Sequence, residues 1–126
     1  MFAAALRTLC ACLLLAAALA SRAAPSAPAR AEIDHLLGHL AASGCEFYRN
    51  GKWYPASQAR EHLQKKYEYL LKKDLVDTAE QFIDRAASES SRSGEAYRVR
   101  CGGASPLTSR EWLGEVLQRY RAAGNR

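Results

Sequence analysis

The sequence contains no Gly-x-Ser-x-Gly elbow, no His-Glu-x-x-His motif and no internal repeat. The first two absences remove the most recognisable signatures of serine hydrolases and zinc proteases. Cysteine is scarce: there are four, and two of them, Cys10 and Cys12, fall in the N-terminal apolar stretch. No apolar run reaches the roughly 20 residues that a permanent membrane helix requires. At 126 residues the chain is too short for a two-domain nucleotide enzyme or a multi-pass membrane protein, and it fits one small domain. Its 48% hydrophobic and 25% charged content is that of a globular chain, not a disordered one.

What is present begins with an export signal. Arg7 and the free amino terminus supply a positive start, Thr8 to Leu19 an apolar run, and Ala18-Leu19-Ala20 small residues where a signal peptidase reads. This pattern predicts a signal peptide over residues 1–20, cleaved after Ala20. Cys12 precedes most of the apolar run, which is the wrong place for a lipoprotein cysteine. Without Arg7 the remaining chain has 17 basic and 13 acidic side chains, a net charge near +4. It keeps only Cys45 and Cys101. In an oxidising compartment such a pair most simply forms one disulfide, two buried free thiols being the alternative. Closing that loop is worth about 4 kcal/mol by chain entropy.

Residues 21–30 are rich in Ala, Pro and Ser and predict a flexible leader. Residues 31–126 then form a single α+β domain. Ile33, Leu36, Leu37, Leu40 and Ala41 lie at helical spacing, predicting a helix over 31–43 that ends at Gly44. Asn50-Gly51 predicts a type I′ hairpin pairing Arg49 with Lys52, Tyr48 with Trp53 and Phe47 with Tyr54. Ser57 is read as the cap of a second helix reaching Lys73, with Ala59, Leu63, Tyr67 and Leu70 on its apolar stripe. Asp77-Thr78-Ala79-Glu80 resembles a capping box opening a third helix, its stripe Ala79, Phe82, Ile83, Ala86 and Ala87. After a serine-rich loop over 88–94, Tyr97 to Cys101 alternates as a strand. Thr108 and Glu111 open a last helix, with Trp112, Leu113, Val116, Leu117 and Tyr120 inward. The expectation is about four helices on a small antiparallel sheet of two or three strands. The disulfide would tie the start of the hairpin to the end of the third strand.

Polar residues on apolar faces mark the candidate site. Lys66 falls among Ala59, Leu63 and Leu70, and His62 lies at the edge of the same stripe. A buried ammonium needs a partner, and Glu80 is the partner the pattern suggests. Arg49 alternates to the inner face of the hairpin. Arg49, His62, Lys66 and Glu80 can thus form one cluster, either an ion-pair network or a binding site for an anionic or polar ligand. Ser88, Ser90, Ser91 and Gly94 of the loop border it. With His62 as base those serines offer a small hydrolase as an alternative, against the plainer role of capping the third helix. His35 and His39 are spaced i, i+4 with Glu32 on the same face, but the metalloprotease glutamate is missing and the face is read as solvated. No metal site and no cofactor is expected. Tyr48, Trp53, Arg98 and Arg100 are assigned to the outer sheet face, as a stacking surface for sugars, peptides or anionic polymers, a dimer contact, or a seam beneath a helix.

Three stretches together resemble the YfeK-like family of small exported bacterial proteins, a domain of unknown function. They are Phe47 with Arg49-Asn50-Gly51; Ala59 with His62-Leu63 and Lys66; and Thr78 to Asp84 continuing through Ala87-Ser88, Ser90-Ser91, Gly94, Tyr97 and Val99. The resemblance spans residues 33–120 and implies a periplasmic location, while supplying no activity. The resulting expectation is a non-catalytic binding or interaction module for a cell-envelope protein, peptide or glycan. The alternatives are the hydrolase and a purely structural envelope protein. Export argues against nucleic acid as partner, and the basic balance suits anionic envelope surfaces.

Overall fold

The computed structural model describes residues 24–124. The expected signal peptide and the first residues of the leader lie outside them. The elements are α1 (Ala27–Ala42), β1 (Glu46–Arg49), β2 (Lys52–Pro55), α2 (Ala56–Lys72), α3 (Ala79–Ala86), β3 (Arg98–Arg100), β4 (Leu107–Thr108) and α4 (Ser109–Gly124). The α+β class with four helices holds. The sheet has one strand more than expected, in the antiparallel order β2-β1-β3-β4. The added strand β4 is two residues long, too short to show any alternation.

The hairpin register is as predicted, with Phe47 opposite Tyr54, Tyr48 opposite Trp53 and Arg49 opposite Lys52. Asn50 and Gly51 both take positive φ (47° and 87°), which a type I′ turn demands. On its other side β1 pairs with β3, Glu46 facing Arg100. Cys45 and Cys101 lie one step beyond that pair and are joined as a disulfide, their Cα atoms 4.4 Å apart. The expected tie between hairpin and third strand is therefore present.

Three boundaries differ from expectation. Helix α1 starts at Ala27, inside the stretch read as leader, because Ser26 accepts the Ala29 N–H and a proline occupies the first turn. There the missing N–H of proline removes nothing. The cap of α2 is Pro55, with no side-chain hydrogen bond, so Ser57 is the second residue of the helix and does not cap. The box of α3 is shifted by one residue: Thr78 accepts from Gln81 N, and the Gln81 side chain reaches back to Asp77 N. Glu80 is thereby released for another contact. The Thr108 cap of α4 is as predicted, accepting from Glu111 N.

The helices gather on one side of the sheet. Helix α1, fully burying Ile33, Leu36 and Leu40, packs on α2, α3 and α4. Phe47 carries the sheet into this core and meets Trp112 edge to face at 5.6 Å. Among the described residues no helix is long and apolar enough to cross a membrane.

Candidate functional site

Pro55 leads directly into Ala56 with no linker, so α2 lies back against its own hairpin. Ala59, His62, Leu63 and Lys66 follow one another at helical spacing and turn toward β1, β2 and Tyr97. Between helix and hairpin is a cavity of about 400 Å³ lined by Phe47, Arg49, Tyr54, Ala59, His62 and Tyr97, among others. Tyr97 is held at its base by the backbone: Ser109 N donates to Tyr97 O, and Tyr97 N donates to Ser88 O.

Arg49 Nη1 lies 3.0 Å from His62 Nδ1, and His62 Nε2 lies 3.1 Å from the Tyr97 hydroxyl. Lys66 Nζ donates to the same hydroxyl at 3.1 Å and to the Glu89 carbonyl at 3.0 Å. A guanidinium can only donate; Arg49 Nη1 lies 3.0 Å from Nδ1 and 3.3 Å from Nε2, and the shorter contact assigns Nδ1 as the unprotonated ring nitrogen. The ring proton is then on Nε2 and goes to the Tyr97 oxygen, an assignment made from the network. That oxygen accepts from His62 and Lys66 together. In this tautomer its own proton is left without an acceptor among the described residues.

The electrostatics follow from this arrangement. Burial, then the positive charges of Arg49 and Lys66, push His62 down to about 4, so the ring is neutral at neutral pH. Burial also lowers Lys66, with Glu89 pulling the other way and Arg49 adding repulsion. Burial raises the Tyr97 phenol against the opposing effect of Arg49. Arg49 stacks over the Tyr54 ring at 5.1 Å. Among the described residues no carboxylate forms an ion pair with Arg49 or Lys66.

Arg49, His62 and Lys66 thus converge as expected, but Glu80 does not join them. It pairs with Arg121, which also holds Glu32. The orientation of α3 against α4 decides this, and helix periodicity alone does not report it. In place of Glu80 the cluster has Tyr97, the first residue of the stretch expected as the third strand. A buried tyrosine hydroxyl needs a polar partner, and an inward lysine on the facing helix was the available signal.

The serine-rich loop has a different task. Ser88 Oγ donates to Ile83 O at 2.6 Å, closing the end of α3. Ser90 Oγ accepts from Asn50 Nδ2, Arg92 N and Ser93 N. Ser93 Oγ donates to Asn50 Oδ1 at 2.6 Å. Gly94 takes φ 72° and returns its N–H to Ser90 O; Ser91 is exposed. The hydrogen bonds of His62 go to Arg49 and Tyr97, not to a serine.

Tyr48, Trp53, Arg98 and Arg100 do share the sheet face away from the helices. Arg100 stacks over Trp53 at 4.0 Å and Arg98 over Tyr48 at 5.8 Å. Arg100 is already paired with Glu46, and the Tyr48 hydroxyl with Glu95. His35 stacks on Tyr120 at 4.3 Å and His39 lies 5.3 Å from Trp112. Their face therefore borders α4 and is not simply solvated. Among the described residues no three metal-ligating side chains converge.

No solved structure matches this chain. An uncharacterised protein of Salmonella typhimurium, YfeK, is 36% identical over 92 residues, which is 72% of this chain and 75% of that protein. The residues that build the hairpin, the cavity and the serine loop all fall inside the 27–121 stretch matched by a family profile, and on that match the chain belongs to DUF5329, a family of unknown function.

Proposed function

We propose that this is an exported periplasmic protein that works as a non-catalytic binding module, holding an anionic group of a cell-envelope component against Arg49 and Tyr97, with Lys66 behind the Tyr97 hydroxyl. One observation carries the reading. The Arg49 guanidinium and the Tyr97 hydroxyl meet at one cavity, Lys66 stands behind that hydroxyl, and no carboxylate among the described residues forms an ion pair with either cation. A purely structural network would be expected to include its own counter-ion, because uncompensated like charges oppose each other. The signal-like N-terminal stretch and the joined cysteines support export. The hydroxyls of Ser88, Ser90 and Ser93 are engaged in caps and turns and His62 bonds Arg49 and Tyr97, an arrangement that supports binding over a hydrolase.

The binding reading is tested by following the His62 ring by NMR while acetate or inorganic phosphate is added to the oxidised protein. A bound anion offsets Arg49 and Lys66, so the titration of His62 should move upward from about 4 in a saturable way. The effect should vanish in Arg49→Gln. No saturable response to either anion removes the reading. Export is tested separately: recovery of the oxidised chain in the periplasmic fraction supports it, and retention as reduced protein in the cytoplasm overturns it.

A further inference from the structure

The cavity holds more than a charge cluster, and its walls narrow the class of ligand. Phe47, Tyr54, Ala59 and Leu63 make one side of it apolar, and Arg49 lies over the Tyr54 ring at the boundary between apolar and polar parts. The polar end offers the rest of the Arg49 guanidinium and the Tyr97 proton. Lys66 is not on the cavity wall; it sits behind the Tyr97 hydroxyl and acts through it. At about 400 Å³ the space lies near the lower end of the range for small-molecule sites, roughly 300–1,000 Å³.

Charge limits the ligand further. Exposed Glu61 lines the same cavity and pairs with Lys65 at 3.4 Å. The Glu89 carboxylate lies near enough to Lys66 to act on its titration. A ligand with one negative charge meets Arg49 and the Tyr97 donor without opposing these carboxylates strongly, while a phosphate dianion meets both terms at once and has too few donors for its oxygens. A flat carboxylate suits the planar guanidinium fork.

Resting on the binding reading above, we infer that the cavity accepts a monocarboxylate carrying an apolar body of side-chain size, the chemistry shared by a small hydrophobic acid and a peptide chain end with an apolar last residue. The carboxylate sits between Arg49 and the Tyr97 hydroxyl, and the body rests on Tyr54, Ala59 and Leu63. Nothing covalent happens there.

Calorimetry on the oxidised full-length protein tests it with N-acetylphenylalanine, its neutral amide, inorganic phosphate, and the tripeptide acetyl-Gly-Gly-Phe with a free carboxylate. N-acetylphenylalanine should bind, and its amide should bind at least about tenfold more weakly, the scale of one charge-assisted pair. Tyr97→Phe, which keeps the ring packing, should weaken the acid but leave the amide unchanged. If the tripeptide binds more tightly than the single residue, the chain end is the source; if it binds more weakly, the free acid is. Phosphate binding without the acid overturns this inference and leaves the anion site standing. Equal affinity for acid and amide also overturns it. No response to the acid or to phosphate removes both readings.

Discussion

Arg121 meets Glu32 at two points, Nε to Oε2 at 2.5 Å and Nη2 to Oε1 at 3.1 Å. The same guanidinium reaches Glu80 through Nη1. One side chain of α4 thereby joins α1 and α3, and none of the three residues lines the cavity. Glu32 is the more enclosed partner, its side chain 16% exposed against 55% for Glu80. Removing the arginine leaves a partly buried carboxylate without a partner, whereas an exposed ion pair contributes little.

Arg121→Ala should therefore lower unfolding stability by about 1–2 kcal/mol, and Glu80→Gln by less than about 0.5 kcal/mol. Urea denaturation checks both. Neither change should move the titration of His62, because neither residue touches the cluster. A shift there on replacing Glu80 would restore the carboxylate to the site from which the structure removes it.

His62 makes stability depend on pH. Its ordinary value is 6.5 and its folded value is about 4, so the unfolded chain takes up this proton first. Stability is then complete above about pH 6.5 and falls as the pH drops toward 4. The ring is partly exposed, so solvent screening limits the loss to about 1–2 kcal/mol. His39 is also lowered, so the measurement is the difference between the wild type and His62→Gln in urea midpoints at pH 7 and pH 5. The variant should show the smaller loss. Parallel pH dependence in the two proteins would mean that His62 is not held neutral by its neighbours.

The parts of this molecule that sequence patterns made legible are those decided within a few residues. Asn50-Gly51 sets the hairpin because only positive φ at both positions closes a two-residue turn, and alternation then places Arg49 inside. Lys66 was visible as an intruder on an apolar stripe because helical geometry alone determines which side it faces. Its partners were not visible: the Glu89 carbonyl and the Tyr97 hydroxyl come from elements whose placement depends on packing. The same limit moved Glu80 to Arg121, and put Tyr120 and Trp112 against His35 and His39. The leader reading failed at residues 27–30 because the composition of a linker and that of a proline-started helix overlap. There the cap at Ser26 was the better signal.

The disulfide should dominate the stability of the chain. Joining Cys45 to Cys101 closes a loop with a sequence separation of 56, for which chain entropy gives about 4 kcal/mol. That is a large share of the roughly 5–15 kcal/mol of a typical domain. Replacing both cysteines by alanine should lower the urea midpoint accordingly, and a reducing agent should do the same to the wild type but nothing to the variant. An unchanged midpoint in the variant would assign the compactness of the sheet to the core alone.

Asn50 joins two roles that substitution can separate. Its backbone takes φ 47° in the turn, while its side chain accepts from Ser93 Oγ and donates to Ser90 Oγ. Asn50→Gly keeps the turn conformation and loses both side-chain bonds, so it should cost about 1–2 kcal/mol. Asn50→Ala loses the bonds and also strains the left-handed backbone, adding about 1 kcal/mol. The stability order should be wild type, glycine, alanine. Hydrogen exchange gives a second readout, since the Gly94 amide bonds to Ser90 O and the Ser90 amide to Glu95 O. Both should exchange faster in the glycine variant although its turn is intact. If the glycine protein matched the wild type in stability and in those amides, the serine loop would be folding on its own terms, with Asn50 serving the turn alone.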